Sequence, residues 1–212
     1  MLLLSACGDL GIPGKPPTEE VRPYGAAPLP AGSVRELKAL FPADWENPPR
    51  GANPVSTHMR LLYRICGKKR KTVQQVQFSD APTTEEERIS TLFLDPSGQY
   101  VLGKDENQDP ERKESTRFIL YFDAKSKVYR GVSWTRNALG EDSPIQMVGR
   151  LEPGAGQAVI DWRPFNISIG VHTRSRLILT DANQFTWEVR RIRDGEIVAR
   201  LNNRSTLEVP WP

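Results

Sequence analysis

The feature that most constrains this chain is a strict alternation of apolar and polar residues near its C-terminal end. Phe185, Trp187 and Val189 alternate with polar residues, and the same alternation returns after the dipeptide Asp194-Gly195. An apolar residue at every second position turns one face of a strand toward a core and the other toward water. Asp-Gly suits a tight hairpin turn, because the central positions of that turn require a positive φ. The pattern therefore predicts an antiparallel hairpin.

Similar β-rich runs, separated by turn sequences, fill the chain from residue 57 onward. The runs are Thr57–Cys66, Thr72–Phe78, Arg88–Leu94, Gln99–Leu102, Ser115–Phe122, Val128–Thr135, Ile145–Leu151, Ala158–Trp162, Arg174–Thr180, Gln184–Ile192 and Glu196–Val209. Short connections make successive strands antiparallel. A sheet of roughly ten strands usually curls into a barrel or folds into a sandwich, since either arrangement removes its exposed edges. We therefore expect a mainly β fold, an antiparallel meander that closes into a barrel or a sandwich.

One short helix is predicted before the sheet, over residues 33–41. Ser33 stands at the N-cap position, and Glu36 follows three residues later as the second member of a capping box. Pro42 ends the helix, because proline cannot continue the hydrogen-bond ladder. The helix and the strands together predict a single β domain over residues 33–212.

The segment before this domain has the composition of a tether. Residues 8–32 contain six prolines and five glycines, with few apolar residues at any regular spacing. Such segments form flexible or semi-rigid spacers rather than packed structure. We therefore expect residues 8–32 to connect the domain to whatever lies at the N-terminal end.

The tether follows the sequence Leu4-Ser5-Ala6-Cys7, which resembles a bacterial lipobox. The resemblance implies that residues 1–7 are the remnant of a lipoprotein signal peptide and that Cys7 is acylated with chains such as palmitate. It further implies a protein of the cell envelope, held in the outer membrane and facing the periplasm. A complete signal has a charged start and a longer apolar run. Either the natural signal begins upstream of Met1, or Cys7 ends an ordinary apolar N terminus.

A second resemblance lies in the segment Tyr121–Trp134, where an aromatic pair and an aspartate-led turn precede the pattern Tyr-x-Gly-x-Trp. This segment resembles a hairpin of bacterial lipocalin-like, calycin-type domains of unknown function. Residues 177–204 are similar to the closing hairpins of the same domains. The resemblance implies an up-and-down barrel with an apolar ligand cavity. It does not extend to residues 57–113, which lack the usual opening Gly-x-Trp strand.

The candidate ligand-binding residues are tryptophans and arginines at strand positions. They are Trp134, Trp162, Trp187, Arg190, Arg200 and Arg204. The tryptophans are predicted to point inward, where they either fill the core or line a cavity. The arginines alternate on adjacent strands and predict one stripe suited to carboxylate or phosphate. The alternative is a general preference for arginine on a wet sheet face, since all eleven basic residues after Lys127 are arginine.

A second candidate contact surface is the run Lys68, Lys69, Arg70 and Lys71. The strand pattern places this run at a hairpin tip, where four charges would be solvated. The functional alternative is contact with an anionic surface, where each charge contributes about 1 kcal/mol.

The sequence offers no catalytic or metal-binding pattern. The two histidines, His58 and His172, are far apart, whereas a zinc site needs three or four clustered ligands. Cys66 is interpreted as a small buried apolar residue, with a reactive thiol as the alternative. A net charge of +3 is too small to indicate nucleic-acid binding.

We therefore expect a non-enzymatic protein that needs no cofactor or metal. The expected function is binding of a small apolar or amphiphilic ligand, or of an envelope component, by a lipid-anchored barrel. The alternative is an accessory subunit of an envelope or secretion assembly, which acts through protein–protein contacts.

Overall fold

The computed structural model describes residues 23–112, 114–137, 139–141, 144–153, 157–165, 171–181, 183–194 and 196–212. Within these residues two helices, α1 (Ala31–Lys38) and α2 (Thr57–Tyr63), precede the strands β1 (Gly67–Phe78), β2 (Thr84–Leu94), β3 (Tyr100–Asn107), β4 (Ser115–Asp123), β5 (Val128–Asn137), β6 (Gly140–Glu141), β7 (Ile145–Glu152), β8 (Ala158–Pro164), β9 (Val171–Leu179), β10 (Gln184–Arg193) and β11 (Glu196–Val209). Cys7 and the predicted signal remnant lie outside the described residues.

The strands form a closed antiparallel barrel. Each long strand pairs with the next one along the chain, and β11 returns to pair with β1 from Lys69↔Val209 to Phe78↔Ala199. The two-residue strand β6 pairs only with the last two residues of β5, and β5 pairs directly with β7 in the ring. The predicted meander is confirmed, and of the two predicted closures the barrel is the one that forms.

The α2 helix closes one end of the barrel. Met59, Leu62 and Ile65 are at most 1% exposed and belong to the core inside the barrel. The Ser56 hydroxyl accepts a hydrogen bond from the Met59 amide at 3.1 Å and so caps the helix. The predicted strand over Thr57–Cys66 is therefore wrong. Apolar residues three apart fit a helix that plugs the barrel better than a strand.

A second apolar layer lies outside the barrel, where α1 packs on the outer face of β2 to β5. Val34 and Leu37 of α1 are buried there. The helix was predicted at 33–41 but spans Ala31–Lys38, and no side chain caps it, so the predicted capping box is wrong. Pro30 holds the N-cap position, so the helix begins earlier than predicted.

Residues 23–32, predicted to be part of the tether, belong to the fold. Ala26 is 5% exposed, and the Leu29 amide donates to Gln146 Oε1 at 2.7 Å. The Tyr24 hydroxyl donates to Asp161 Oδ2 at 2.5 Å. The residues that make these contacts follow no regular spacing. A segment rich in proline and glycine therefore gives no sequence pattern that would predict its packing.

Candidate functional site

The barrel wall separates the predicted ligand-binding residues into an inner and an outer set. Trp162 and Trp187 point inward, are 0% and 8% exposed, and stack with ring centroids 6.0 Å apart. Trp134 points outward beneath α1, with its ring edge-on to Phe41 at 5.3 Å. The prediction of an inward Trp134 is wrong. Both faces of β5 are buried, so apolar alternation does not reveal which face is inside.

The inward aromatic residues fill the barrel axis rather than line a cavity. A Cβ atom on Gly149 would approach the Trp162 ring to 2.8 Å, and one on Gly103 would approach the Phe118 ring to 2.2 Å. Aromatic rings therefore lie directly on glycine backbone of neighbouring strands. Of the two roles predicted for inward tryptophans, core filling is the one these contacts support.

The barrel interior also contains a buried arginine. Arg88 is 1% exposed, and its Nε donates to Asp105 Oδ2 at 2.5 Å, while the Ser90 hydroxyl donates to Asp105 Oδ1 at 2.7 Å. Both terminal nitrogens of Arg88 are buried without a hydrogen-bond partner among the described residues. Buried polar atoms usually bind protein or ordered water, so this part of the interior has the chemistry to hold water.

The run Lys68–Lys71 does not form a hairpin tip, because it belongs to β1. Arg70 is 0% exposed and donates to the carbonyl oxygens of Asn183 at 3.1 Å and Arg64 at 3.2 Å. Burial lowers the pKa of Arg70 to about 10. The run is therefore split: Lys68 and Lys69 are exposed, Lys71 is half-buried, and Arg70 helps to close the barrel.

Cys66 precedes this run and packs against the barrel core. Burial raises the pKa of the Cys66 thiol, which disfavours the thiolate needed for nucleophilic attack. This environment supports the interpretation of Cys66 as a small apolar residue.

One pocket lies at the end of the barrel that α2 closes, and we call it the end pocket. It has a volume of about 470 Å³. It is lined by His58, Phe122, Ala124, Lys127, Tyr129, Arg150 and Leu151. Three elements build it: the first turn of α2, the hairpin between β4 and β5, and the end of β7.

Aromatic contacts form the floor of the end pocket. The His58 ring stacks on Phe122 with centroids 3.7 Å apart and planes at 12°. His58 Nδ1 lies 3.2 Å from the Tyr129 hydroxyl. Burial raises the pKa of Tyr129 to about 12, so its phenol stays protonated at neutral pH. Stacking and the hydrogen bond together fix the orientation of the imidazole.

Two cations lie at the rim of the end pocket. Lys127 is exposed and has no ion-pair partner among the described residues. Arg150 is held in place, since its Nη2 donates to the Tyr24 carbonyl at 3.1 Å and its guanidinium lies 5.0 Å from the centre of the Tyr24 ring. None of the described residues that line the pocket is a carboxylate. An apolar floor between two cations has the chemistry to hold an anionic amphiphile.

The predicted arginine stripe lies on the outer face of the barrel. Arg190 of β10 stands directly opposite Arg200 of β11, and Arg204 lies further along β11, opposite Thr186. Sequence reasoning missed Arg174 of β9, which stands opposite Arg190 on the other side. The alternation of arginines with inward residues along β9 could have identified it. The arginines and Trp162 lie on opposite faces of the wall, so they do not share one ligand.

No protein-family model matches this chain, and no curated protein is significantly similar to it. In the described part of the chain, no group of three or more His, Cys, Asp or Glu residues is placed to hold a metal ion. Neither of the described helices has the length and apolar character needed to cross a membrane. The site must therefore be interpreted from its own geometry.

Proposed function

We propose that this protein binds a small anionic amphiphile in the end pocket, without catalysis. The observation that carries the proposal is a pocket of about 470 Å³ with an apolar floor and a cationic rim. Small-molecule sites are typically pockets of a few hundred cubic ångströms, mostly apolar, with a few polar groups that fix the ligand's orientation. The end pocket has this composition.

Each part of the pocket has a role in this proposal. The apolar body of the ligand packs on Phe122, His58 and Leu151, and its anionic group lies between Lys127 and Arg150. The Tyr129 hydroxyl keeps the His58 ring in its stacked position. The ligand enters from the end of the barrel rather than along its axis, because aromatic side chains fill the axis.

The proposal includes an envelope location. The lipobox resemblance at Cys7 supports a lipid anchor in the outer membrane, with the barrel in the periplasm. Only the fifteen residues 8–22 separate Cys7 from Pro23, where the described fold begins. The test is the intact mass of the protein isolated from envelopes of its native host, beside a Cys7→Ala variant. A diacyl or triacyl mass at Cys7 supports the anchor, and an unmodified Cys7 contradicts it.

Ligand binding is tested with 1-anilinonaphthalene-8-sulfonate, a fluorescent aromatic sulfonate, and with displacement of this probe by laurate. Lys127→Gln removes a rim cation, and Leu151→Asp places a carboxylate beside the ligand; Leu151 is 46% exposed, so the fold tolerates the change. We expect each to weaken binding by roughly tenfold. Lys127→Gln removes a hydrogen bond to a charged group, which contributes about 1.5–3 kcal/mol, and Leu151→Asp repels the anionic group of the ligand.

The matched control is Lys125→Gln, in the same turn but outside the pocket lining. It removes the same charge and should leave the affinity unchanged. Equal affinity in all three variants would contradict the proposed site. An equal loss in the control and in Lys127→Gln would show that only net charge matters.

A further inference from the structure

Three arginines form a row across the outer face of the barrel, which we call the arginine row. Arg174, Arg190 and Arg200 lie on β9, β10 and β11 and are direct cross-strand neighbours. All three are exposed. Like charges directly opposite each other destabilise a sheet. The row is therefore a cost to the fold that an approaching anion would relieve.

The acids around the arginine row neutralise one end of it and leave the other end positive. Arg174 Nε lies 2.8 Å from Asp161 Oδ1, and a Glu152 oxygen is 3.5 Å from Arg174 Nη2. Glu188 is 3.7 Å from Arg190. Arg200 has no ion-pair partner among the described residues. Its neighbour on β1 is the neutral Gln77.

Two further arginines lie on the same outer face, Arg176 beside the row and Arg204 further along β11. Arg176 pairs with Glu152 at 2.8 Å. Arg204 stands between Thr186 and Val73, neither of which is acidic. Among the described residues, the two arginines of this face without an ion-pair partner, Arg200 and Arg204, both lie on β11.

The first described residues of the chain lie next to one end of the arginine row. Tyr24, next to the first described residue, donates its hydroxyl to Asp161 at 2.5 Å, and the same carboxylate accepts from Arg174 at 2.8 Å. The fifteen residues between Cys7 and Pro23 span at most about 50 Å when fully extended. An anchor at Cys7 would therefore keep the arginine row within reach of the membrane surface.

We propose that the arginine row docks onto the anionic phosphate head groups of the bilayer that holds the anchor. The guanidinium group suits this role, because its planar fork binds phosphate through two parallel hydrogen bonds. Docking would fix the orientation of the barrel on the membrane. The inference rests on the proposed lipid anchor in one respect only: the anchor would bring the barrel to the bilayer that supplies the head groups.

The test uses the full chain with Cys7→Ser, so that no acyl chain contributes to binding. Flotation is measured with vesicles of phosphatidylcholine alone and of phosphatidylcholine mixed with phosphatidylglycerol. We expect binding to the mixed vesicles only, and a loss of roughly tenfold or more in Arg190→Gln/Arg200→Gln, since each basic residue near an anionic surface adds to the attraction.

The control variant is Lys125→Gln/Arg136→Gln. Both residues are exposed and lie on or beside β5, across the barrel from the arginine row. The control removes the same net charge and should bind within about twofold of the parent chain. Equal losses in the two double variants, or no binding by the parent chain, would overturn the proposal. Cross-linking of the row to one envelope protein, without vesicle binding, would also overturn it in favour of protein docking.

The failure of this inference is distinguishable from failure of the anchor. Row-dependent vesicle binding together with an unmodified Cys7 supports the docking surface and refutes the lipid anchor. An acylated Cys7 without row-dependent binding refutes the docking surface and leaves the anchor in place.

Discussion

The two halves of the barrel wall differ on their outer faces. On β2 to β5 part of the outer face is apolar and covered, for example at Phe93, Ile119 and Trp134, which α1 and Trp211 bury. On β9 to β11 the outer face is polar and uncovered, and Arg190 and Arg200 lie there. The covered half contributes to the hydrophobic core, whereas the uncovered half remains available for a partner surface.

Segments distant in sequence hold the covered half together. The Trp211 indole donates to the Leu92 carbonyl at 2.7 Å, 119 positions earlier in the sequence. The N-terminal segment runs along the outside of the barrel wall and reaches Asp161, at the boundary with the uncovered half. Substitutions in the covered half should therefore reduce stability, and those in the uncovered half should affect binding instead.

The largest effect is expected for Trp134→Ala, in the covered half. Trp134 is 3% exposed and packs against Phe41. Removing a buried tryptophan should lower the free energy of unfolding by about 3–5 kcal/mol, because it leaves a cavity. The measurement is urea unfolding, with Gln77→Ala on the exposed face of β1, beside the uncovered half, as a control that should change stability by less than about 0.5 kcal/mol. A loss below about 1 kcal/mol for Trp134→Ala would show that the outer layer is loosely packed.

A smaller effect is expected for Asp161→Asn, at the boundary between the halves. Burial opposes ionisation of this carboxyl, but hydrogen bonds from Arg174, Tyr24 and Arg163 outweigh it and hold the pKa below 3.8. Losing these charged hydrogen bonds should cost about 2 kcal/mol at neutral pH.

The pH dependence gives this prediction a second measurement. A lowered pKa in the folded state adds stability above pH 3.8 that disappears as the pH falls through the folded value. The stability of the parent chain should therefore fall more steeply below pH 3.8 than that of Asp161→Asn. Parallel acid unfolding curves for the two proteins would contradict the role of this carboxylate.

At alkaline pH the expected change comes from three buried or partly buried tyrosines. Burial raises the pKa of Tyr24, Tyr121 and Tyr129 from 10.0 to about 12. A raised folded-state pKa means that their contribution is complete below pH 10 and is lost between about pH 10 and 12. Unfolding measured over this range should show falling stability, and Tyr129→Phe should reduce the decrease. An unchanged pH profile in Tyr129→Phe would argue against its burial.

The contrast between the two halves also explains which features the sequence could predict. β10 and β11 were identified from their alternation because one of their faces is wet. The outward direction of Trp134 was not predictable, since Val132 and Ser133 beside it are buried on opposite faces of the same strand. The α2 plug was misassigned because its apolar residues extend directly into β1.

The candidate site was only partly predictable for a similar reason. Tyr129 lies in the hairpin that carried the family resemblance, but His58 joins it from 71 positions away. No local pattern indicates a contact between α2 and that hairpin. Burial of Arg70 was equally hidden, because a run of four cations has no apolar neighbours that would indicate an inward strand face.

The smallest expected effect tests whether the arginine row is a cost to the fold. Arg200→Thr removes a like-charge neighbour of Arg190 and should raise the free energy of unfolding by about 0.2–1 kcal/mol. Arg204→Thr is the matched control on the same strand, because its neighbours Thr186 and Val73 are uncharged. Both variants gain the same β-propensity, so the difference between them measures charge relief alone.

A gain confined to Arg200→Thr, together with weaker vesicle binding, would mean that the row is retained at the expense of stability. Equal gains in both variants would remove the energetic argument for an anionic partner.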